Sequence, residues 1–255
     1  MNGRLVRTAG PPFVAFAVLL GAWEAAVRLF GIGPLVLPAP SGVAAAIGAD
    51  WTGWLHAARV TGQEALLGFG LALVVSLLLA VASTVAPVVE RAVLPVVTVV
   101  QLVPVVALAP ALVIGLGFGT TPRVLVAALI TFAPLTVNAV AGLHAVEPDT
   151  LEVLRSVDAS EREILLKLRL PSALPYLAAA TRVCVGLALI GAMVAEWQGS
   201  SEGLGYAFTR AQRALATERM WAAVFVLAAM GVVGVSVVGA LERRLLRWRP
   251  ERLRN

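Results

Sequence analysis

Charged and helix-capping residues concentrate in one polar segment, residues 147–171, which lies between two long apolar stretches. Within it, Ser160 is followed three residues later by Glu163, a pattern in which each side chain can bond the other residue's backbone N–H at a helix start. Pro171 is a stop signal further along the chain. The spacing therefore predicts a short helix that begins after Ser160 and ends at Pro171, with an apolar face formed by Ile164, Leu165 and Leu168.

A second short helix is predicted earlier in the same segment, over residues 151–157. Asp149 or Thr150 can cap its start, because their side-chain oxygens can accept the free N–H groups of a first helical turn. Asp158 then stands where the chain must turn, and aspartate tolerates the left-handed conformation better than most residues. Two capped helices joined by an elbow are typical of a docking site for a partner. The alternative is a solvated loop between two membrane spans.

The composition is that of a membrane protein. Of the 255 residues, 59% are hydrophobic and 14% are charged, and the mean hydropathy is +0.89. Soluble domains carry about 25% charged residues, which argues against a soluble globular domain. The net charge of +5 does not indicate nucleic-acid binding, because the basic residues collect in the terminal tails and in the polar segment. The only cysteine, Cys184, lies in an apolar stretch, so neither a disulfide framework nor a cysteine metal site is predicted.

Six apolar segments are long enough to cross about 30 Å of hydrocarbon as helices. The predicted fold class is an all-α membrane protein with about six transmembrane helices, at residues 12–30, 64–85, 93–116, 123–144, 173–195 and 220–241. They form one transmembrane domain, residues 12–241, between a tail of residues 1–11 and a basic tail of residues 242–255. Before the second span, Ser41 is predicted to cap a short helix that holds Trp51 and Trp54.

The distribution of charge predicts the topology. Most of the 20 Lys and Arg residues fall on the side of the membrane that holds both termini and the polar segment. Such an excess marks the cytoplasmic side, which predicts an inner (plasma) membrane protein with both termini in the cytoplasm. The basic residues of the C-terminal tail are then placed to contact anionic lipid headgroups.

Prolines interrupt the third and fourth spans at Pro95, Pro104, Pro110 and Pro134. A proline removes a backbone donor, and in lipid the freed groups must be buried in protein or line a cavity. Polar or charged residues in or near the spans are candidates to line such a pathway, or they only satisfy kinked backbone and join helices. These candidates are Gln101, Thr131, Thr136 and Asn138. Two more are Arg182, which either faces the pathway or snorkels to the inner surface or pairs structurally, and Glu196, which is either a gate group or a helix-end charge.

A polar stretch follows the fifth span, at residues 199–219, and is predicted to form a loop and an amphipathic helix. Its first part is rich in glycine and short side chains, which is compatible with an outer gate or a contact with another protein. The candidate gate residues are Gly199, Ser200, Ser201, Gly203 and Gly205.

The polar segment resembles the cytoplasmic coupling loop of ATP-binding-cassette (ABC) import permeases. That family carries Glu-Ala-Ala, three residues, a glycine, about nine residues and an aliphatic-any-Leu-Pro ending. Here Glu152-Val153-Leu154, Asp158 and Leu168-Arg169-Leu170-Pro171 stand at the matching places. Val-Leu replaces Ala-Ala, and Asp158 replaces the glycine of the elbow.

Three further motifs resemble those of the permeases for nitrate, sulfonates, taurine and pyrimidine thiamine precursors. They are Leu37-Pro-Ala-Pro-Ser41, Gly115-Leu-Gly-Phe-Gly119 and the run from Ala195 to Tyr206. The resemblance extends over residues 37–248, and the Gly-Ser-Ser-Glu-Gly-Leu-Gly-Tyr part of the last motif is more similar to the heterocycle branch.

The resemblance implies the type I ABC importer permease fold and a set of partners: a second permease copy, two ATPase subunits that bind ATP and Mg²⁺, an extracytoplasmic substrate-binding protein, and membrane lipid. It assigns the ATPase-coupling role to Leu151, Glu152, Val153, Leu154, Arg155, Ser156, Val157, Asp158, Ala159, Ser160, Leu170 and Pro171. The expected solute is small and polar, either a sulfonate- or nitrate-like anion or a heterocycle such as a pyrimidine thiamine precursor.

No enzymatic activity, cofactor, metal or nucleic acid is expected on this chain. A loop that holds ATP phosphates needs glycines around its lysine. The only lysine here, Lys167, lies in a Leu-Lys-Leu-Arg stretch without glycine, so ATP hydrolysis is expected in a separate subunit.

Two other classes stay open at this point: an ion-coupled secondary transporter and a non-transporting membrane scaffold. The first should show inverted repeats and membrane-embedded ionisable residues, but the sequence shows no convincing repeat and Arg182 is its only clear mid-span charge. The second has no evident use for a capped, elbowed polar segment.

Overall fold

The computed structural model describes residues 2–246, with side chains described from residue 14 onward except those of Pro87 and Glu90. The basic residues beyond position 246, which are predicted to contact lipid headgroups, lie outside this range. Within it, the regular elements are helices: α1 Asn2–Leu29, α2 Pro40–Ala49, α3 Trp51–Val85, α4 Pro87–Leu102, α5 Val105–Leu116, α6 Thr120–His144, α7 Pro148–Ser156, α8 Glu161–Ile164, a π-helical turn Leu165–Arg169, α9 Leu170–Glu196, α10 Leu204–Arg213 and α11 Thr217–Leu245. The predicted all-α class is confirmed.

Four described helices are long and apolar enough to cross a membrane: α3, α6, the helix Glu161–Glu196 that includes α9, and α11. A fifth candidate is the bent pair Arg91–Leu102 and Val105–Leu116. Helix α1 lies where the first span is predicted. The predicted loop and amphipathic helix after the fifth span are confirmed, since α10 follows a turn at the end of α9.

The predicted interruption of the third span is confirmed at Pro104. Helices α4 and α5 meet there at an angle of 93°, and Val103 and Pro104 are both extended. Pro104 has no N–H to continue the helix, and its ring disfavours the helical conformation at the residue before it. At Pro95, Pro110 and Pro134 the predicted interruption is wrong, because these prolines lie inside helices α4, α5 and α6, which continue past them.

The prediction for the segment before the second span is wrong in two respects. Ser41 does not cap α2, because Ala39 is the N-cap and Pro40 begins the helix. The Glu24 carboxylate of α1 instead accepts the Ser41 N–H at 3.0 Å and its hydroxyl at 2.8 Å. Trp51 and Trp54 do not lie in this short helix either; they belong to the first turn of the long helix α3.

The core of the bundle is formed by α3, α6 and α9, which meet mainly through alanines. In lipid, helices associate by close packing, and small residues allow the backbones to approach. The contacts run along the full length of the three helices and are formed by Ala65, Ala127, Ala188 and Ala192, then Ala72, Ala128, Ala180 and Cys184, and then Ala80, Ala139 and Ala173.

Gly68 lies where α3 packs tightly against α6, and valine there is expected to destabilise the bundle. A Cβ on Gly68 would lie 2.6 Å from the Ala127 Cβ and 2.6 Å from the Val124 carbonyl oxygen, so the helices would have to separate. Overpacking of this kind costs about 1–3 kcal/mol. The melting temperature of the purified protein in detergent should fall by several degrees in Gly68→Val.

Gly70 provides the matched control for this substitution. It lies in the same helix, and a Cβ there meets no atom within 4 Å. Gly70→Val should melt at the wild-type temperature. Equal melting temperatures for the two variants would show that the α3–α6 contact is not as close as described.

Candidate functional site

The elbow segment, residues 147–171, begins with α7 and turns at Asp158, as predicted. Asp158 has a φ of +55°, in the left-handed region. Its N–H donates to the Arg155 carbonyl at 3.0 Å, and the Ala159 N–H donates to the Leu154 carbonyl at 3.1 Å. These two bonds form a Schellman motif, the helix ending in which glycine usually takes the left-handed position. Asp158 therefore maintains the elbow where the family motif has glycine.

The second helix of the elbow segment starts with the predicted capping box, which is confirmed. The Glu163 N–H donates to Ser160 Oγ at 3.3 Å, and the Ser160 N–H donates to Glu163 Oε2 at 3.1 Å. The predicted cap of the first helix is wrong: Glu147 is the N-cap, without a side-chain cap bond, and Pro148 occupies the first turn. Proline fits that position because the first N–H groups of a helix have no partner within it.

The prediction that Pro171 ends the second helix is also wrong. The helix continues from Glu161 to Glu196 through the π-helical turn Leu165–Arg169. In this turn the Leu170 N–H bonds back to the Leu165 carbonyl, five residues earlier. The wider turn moves the preceding carbonyls away from the proline ring, which would clash with them in a regular α-helix. The elbow is therefore joined to the span α9 by continuous helix.

One side of the elbow segment is anchored to the bundle and the other is exposed. Ile164 is fully buried, and the partly buried Leu165 and Leu170 pack against the core where α3, α6 and α9 meet. On the first helix, Val153 and Val157 are 63% and 69% exposed. Leu151, Leu154, Ala159 and Pro171 are half-buried, whereas Glu152, Arg155, Ser156, Asp158 and Ser160 are exposed. An anchored helix with an exposed apolar ridge beside charged groups is a surface suited to a protein partner.

A second group of polar residues lies at the opposite end of α9, whose 27 residues span roughly 40 Å. We call it the carboxylate cluster: Thr61 and Glu64 of α3, Arg123 of α6 and Glu196 of α9. Thr61 is fully buried, and Glu64 and Glu196 are each 1% exposed. Arg123 forms an ion pair with Glu64 and donates from Nε to the Gly119 carbonyl at 3.0 Å. Three helices of the core are thus joined by charged and polar groups.

The carboxylate cluster also binds the gate loop, residues 199–205. The Thr61 hydroxyl donates to Glu196 Oε1 at 2.6 Å and accepts the Leu204 N–H at 2.8 Å. The second oxygen of Glu196 accepts the Gly205 N–H at 2.5 Å. The start of α10 is therefore held by one threonine and one glutamate of two other helices.

Glycine is required at Gly203 on two grounds. Its φ is +98°, and a Cβ there would overlap the Glu196 carboxylate. A Cβ added at Gly205 would likewise overlap the Met193 carbonyl oxygen. Gly199, with a φ of +126°, lies against the ring of Phe118 in the turn before α6. Ser201 is exposed, and the Ser200 hydroxyl accepts the Glu202 N–H at 3.1 Å.

The candidate pathway residues do not come together in one site within this chain. Thr131 is buried and bonds carbonyls of its own helix, and Thr136 is buried with its hydroxyl 2.8 Å from that of Ser76. Asn138 donates to the Pro134 carbonyl at 2.9 Å. Gln101 is exposed at the bend between α4 and α5. Their part in a pathway stays a prediction.

Arg182 forms an ion pair with Glu242 of α11, one of the two roles that the sequence left open for it. Glu196 is the one pathway candidate in the carboxylate cluster. Sequence reasoning missed its partners Thr61, Glu64 and Arg123, because Glu64 and Arg123 stood at the predicted ends of spans. Within the described residues, no group of three or more His, Cys, Asp or Glu is arranged to hold a metal ion.

Comparison with known proteins defines the class. The family described as "Binding-protein-dependent transport system inner membrane component" matches residues 72–247. The chain therefore belongs to this family of ABC importer permease subunits, and it is an integral membrane protein. In this family ATP hydrolysis takes place in a separate subunit.

Several characterised relatives are similar over nearly the whole chain. The formylaminopyrimidine transport permease protein ThiX of Halalkalibacterium halodurans is 35% identical over 93% of this chain and 95% of that protein. The riboflavin transport system permease protein RibX of Chloroflexus aurantiacus is 34% identical over 92% and 88%. The taurine transport system permease protein TauC of Escherichia coli is 30% identical over 92% and 88%.

The fold matches a solved structure of the same architecture. A chain of the MetNI methionine ABC transporter, in its inward-facing conformations, superposes with a TM-score of 0.55 at 17% identity, over 74% of this chain and 94% of that one. The predicted type I importer permease fold is thereby confirmed.

Proposed function

We propose that this chain forms half of the translocation pathway of an ATP-driven importer and that its elbow segment receives the movement of a separate ATPase. The observation that carries the proposal is the elbow itself: a first helix ended by a Schellman motif, a second helix started by a capping box, an exposed ridge at Val153 and Val157, and continuous helix into α9. A solvated loop needs neither the Schellman motif nor the anchoring of Ile164 in the core.

The proposed mechanism transmits force through rigid helices. Two ATPase subunits, which hold ATP and Mg²⁺, close on each other and push the exposed face of α7. The two Schellman bonds, donated by the Asp158 and Ala159 N–H groups, keep the angle of the elbow fixed. The buried Ile164 anchors the second helix in the bundle. Helix α9 and the helices packed on it then rock between outward-open and inward-open states, a rigid-body transition.

In this proposal the elbow segment and both termini are cytoplasmic, and the carboxylate cluster lies at the outer end. A second copy of the chain supplies the other half of the pathway, and an extracytoplasmic binding protein delivers the solute to the outer end. Gln101, Thr131, Thr136, Asn138, Arg182 and Glu196 remain the candidate pathway residues, and Gly199, Ser200, Ser201, Gly203 and Gly205 the candidate outer gate.

The proposed solute is a small heterocycle of the pyrimidine-precursor kind, with a sulfonate as the alternative. The relatives named for formylaminopyrimidine and riboflavin are 35% and 34% identical, compared with 30% for the relative named for taurine. The Gly-Ser-Ser-Glu-Gly-Leu-Gly-Tyr run of the gate loop supports the same branch.

Reconstitution in liposomes tests the proposed function. The chain, its ATPase and its binding protein are assembled, and uptake of labelled formylaminopyrimidine, riboflavin and taurine is measured in turn. We expect uptake of a heterocycle only when the ATPase and ATP are present, and ionophores that remove ion gradients should not reduce it.

Uptake by the chain alone, driven by a proton or sodium gradient, would instead establish a secondary transporter. ATP-driven uptake of taurine in preference to either heterocycle would keep the mechanism and overturn the proposed solute class.

A further inference from the structure

The carboxylate cluster joins the core helices to one another and also to the gate loop. Its groups come from α3, α6 and α9, and its bonds to Leu204 and Gly205 bring in the start of α10. The gate loop is therefore bonded directly to α3 and α9, and Arg123 of α6 reaches it only through its ion pair with Glu64. Thr61, Glu64 and Arg123 have no role in the proposed function above.

The Thr61 hydroxyl is the donor in one hydrogen bond and the acceptor in another. Its hydroxyl carries a single proton, which it donates to Glu196, so its lone pairs are free to accept the Leu204 N–H. Thr61 thus transmits the position of the Glu196 carboxylate to the backbone of the gate loop. Valine has the same shape but neither donates nor accepts, so Thr61→Val would remove both bonds and little else.

The electrostatics of the cluster are unbalanced. Glu64 and Glu196 are both buried, and Arg123 forms an ion pair with Glu64. Glu64 Oε2 is buried without a donor. Removing the cation of a buried ion pair leaves its partner without a counter-charge, which is strongly destabilising. Arg123 therefore holds together an arrangement that would otherwise separate.

We propose that Thr61, Glu64 and Arg123 are positioning residues that latch the gate loop, and that this latch opens in each transport cycle. The proposal rests on the proposed function, in which the gate loop is the outer gate. The apolar contacts of the Leu204 side chain with Trp54 and Met193 would keep α10 attached while the loop ahead of it moves.

Cysteine labelling of the gate loop tests the latch. The native Cys184 is buried, so an exposed cysteine from Ser201→Cys provides a single reactive thiol. The assembled transporter is placed in lipid nanodiscs, where both faces are accessible, and the rate of reaction with a hydrophilic maleimide is measured. Thr61→Val and Arg123→Gln are each expected to raise the resting labelling rate about tenfold, within the range of typical coupling energies. Both should also raise ATP hydrolysis in the absence of the binding protein.

Asp50→Asn is the matched control. Asp50 pairs with Arg219 at 2.7 Å near the same end of the bundle, but this pair is exposed and lies outside the carboxylate cluster. The control should leave the labelling rate and the ATPase activity unchanged. If Arg123→Gln does not fold, as judged by its melting temperature, Thr61→Val alone decides the result.

Wild-type labelling rates and a normal dependence of ATPase activity on the binding protein, in Thr61→Val, would overturn the latch and make the cluster a static support. Failure of the proposed function would look different. In that case the wild-type transporter would itself show no ATP-driven uptake, whatever the labelling rates of the variants.

Discussion

Leu154→Pro is expected to abolish ATP-driven uptake while the chain still enters the membrane. Leu154 lies within α7, a helix of only nine residues. Proline there removes a backbone donor and clashes with the preceding turn, at a cost of about 3 kcal/mol. That cost corresponds to a factor of about a hundred in the population of the folded helix. Isolated helices this short have little stability of their own, so the elbow should be lost.

The measurement is uptake by proteoliposomes together with ATPase activity stimulated by the binding protein. Leu154→Met is the control, because methionine is a good helix former of similar volume, and it should transport normally. Both variants should be recovered from the membrane in wild-type amounts. Near-normal uptake by Leu154→Pro would mean that α7 does not carry the movement of the ATPase.

Asp158→Val is expected to reduce uptake roughly tenfold or more. The φ of +55° at this position costs an ordinary residue about 1–2 kcal/mol, and a β-branched residue more than that. Valine should therefore pull the elbow out of the Schellman geometry and change the angle between α7 and α8. Asp158→Gly, which restores the residue of the family motif, should transport at least as well as the wild type.

Asp158→Asn separates the backbone effect from the loss of charge. Asparagine adopts the left-handed conformation as readily as aspartate but carries no charge, so uptake should stay at the wild-type level. Equal uptake by the valine and glycine variants would contradict a role for the elbow angle. A defect in the asparagine variant would move the role of Asp158 from conformation to charge.

The features that sequence analysis predicted correctly are local. The capping box at Ser160 and the turn at Asp158 each depend on residues within six positions of each other. Each of these two local patterns favours a single backbone conformation, so it can be predicted from the sequence. The break at Pro104 follows in the same way from the missing N–H of a single residue.

The features that it missed depend on distant partners. Thr61 and Glu196 are 135 positions apart, and Glu64 and Arg123 are 59 apart, so no local pattern brings them together. The sequence predicts that Ser41 caps its own helix, whereas its N–H and hydroxyl donate to the carboxylate of Glu24, 17 positions earlier. Pro171 predicts a helix stop, because a sequence does not show that a wider turn will accommodate the proline ring.

The π-helical turn Leu165–Arg169 also sets the rotational phase between the elbow and the core. Ile164 and Ala173 are both fully buried, although residues nine positions apart point in opposite directions on a regular helix. The extra residue of the turn absorbs about 100° of rotation, so that both side chains face inward. A one-residue insertion in this turn would rotate the ridge of Val153 and Val157 around the helix axis by the same angle. The turn therefore sets the direction from which a partner must approach the ridge.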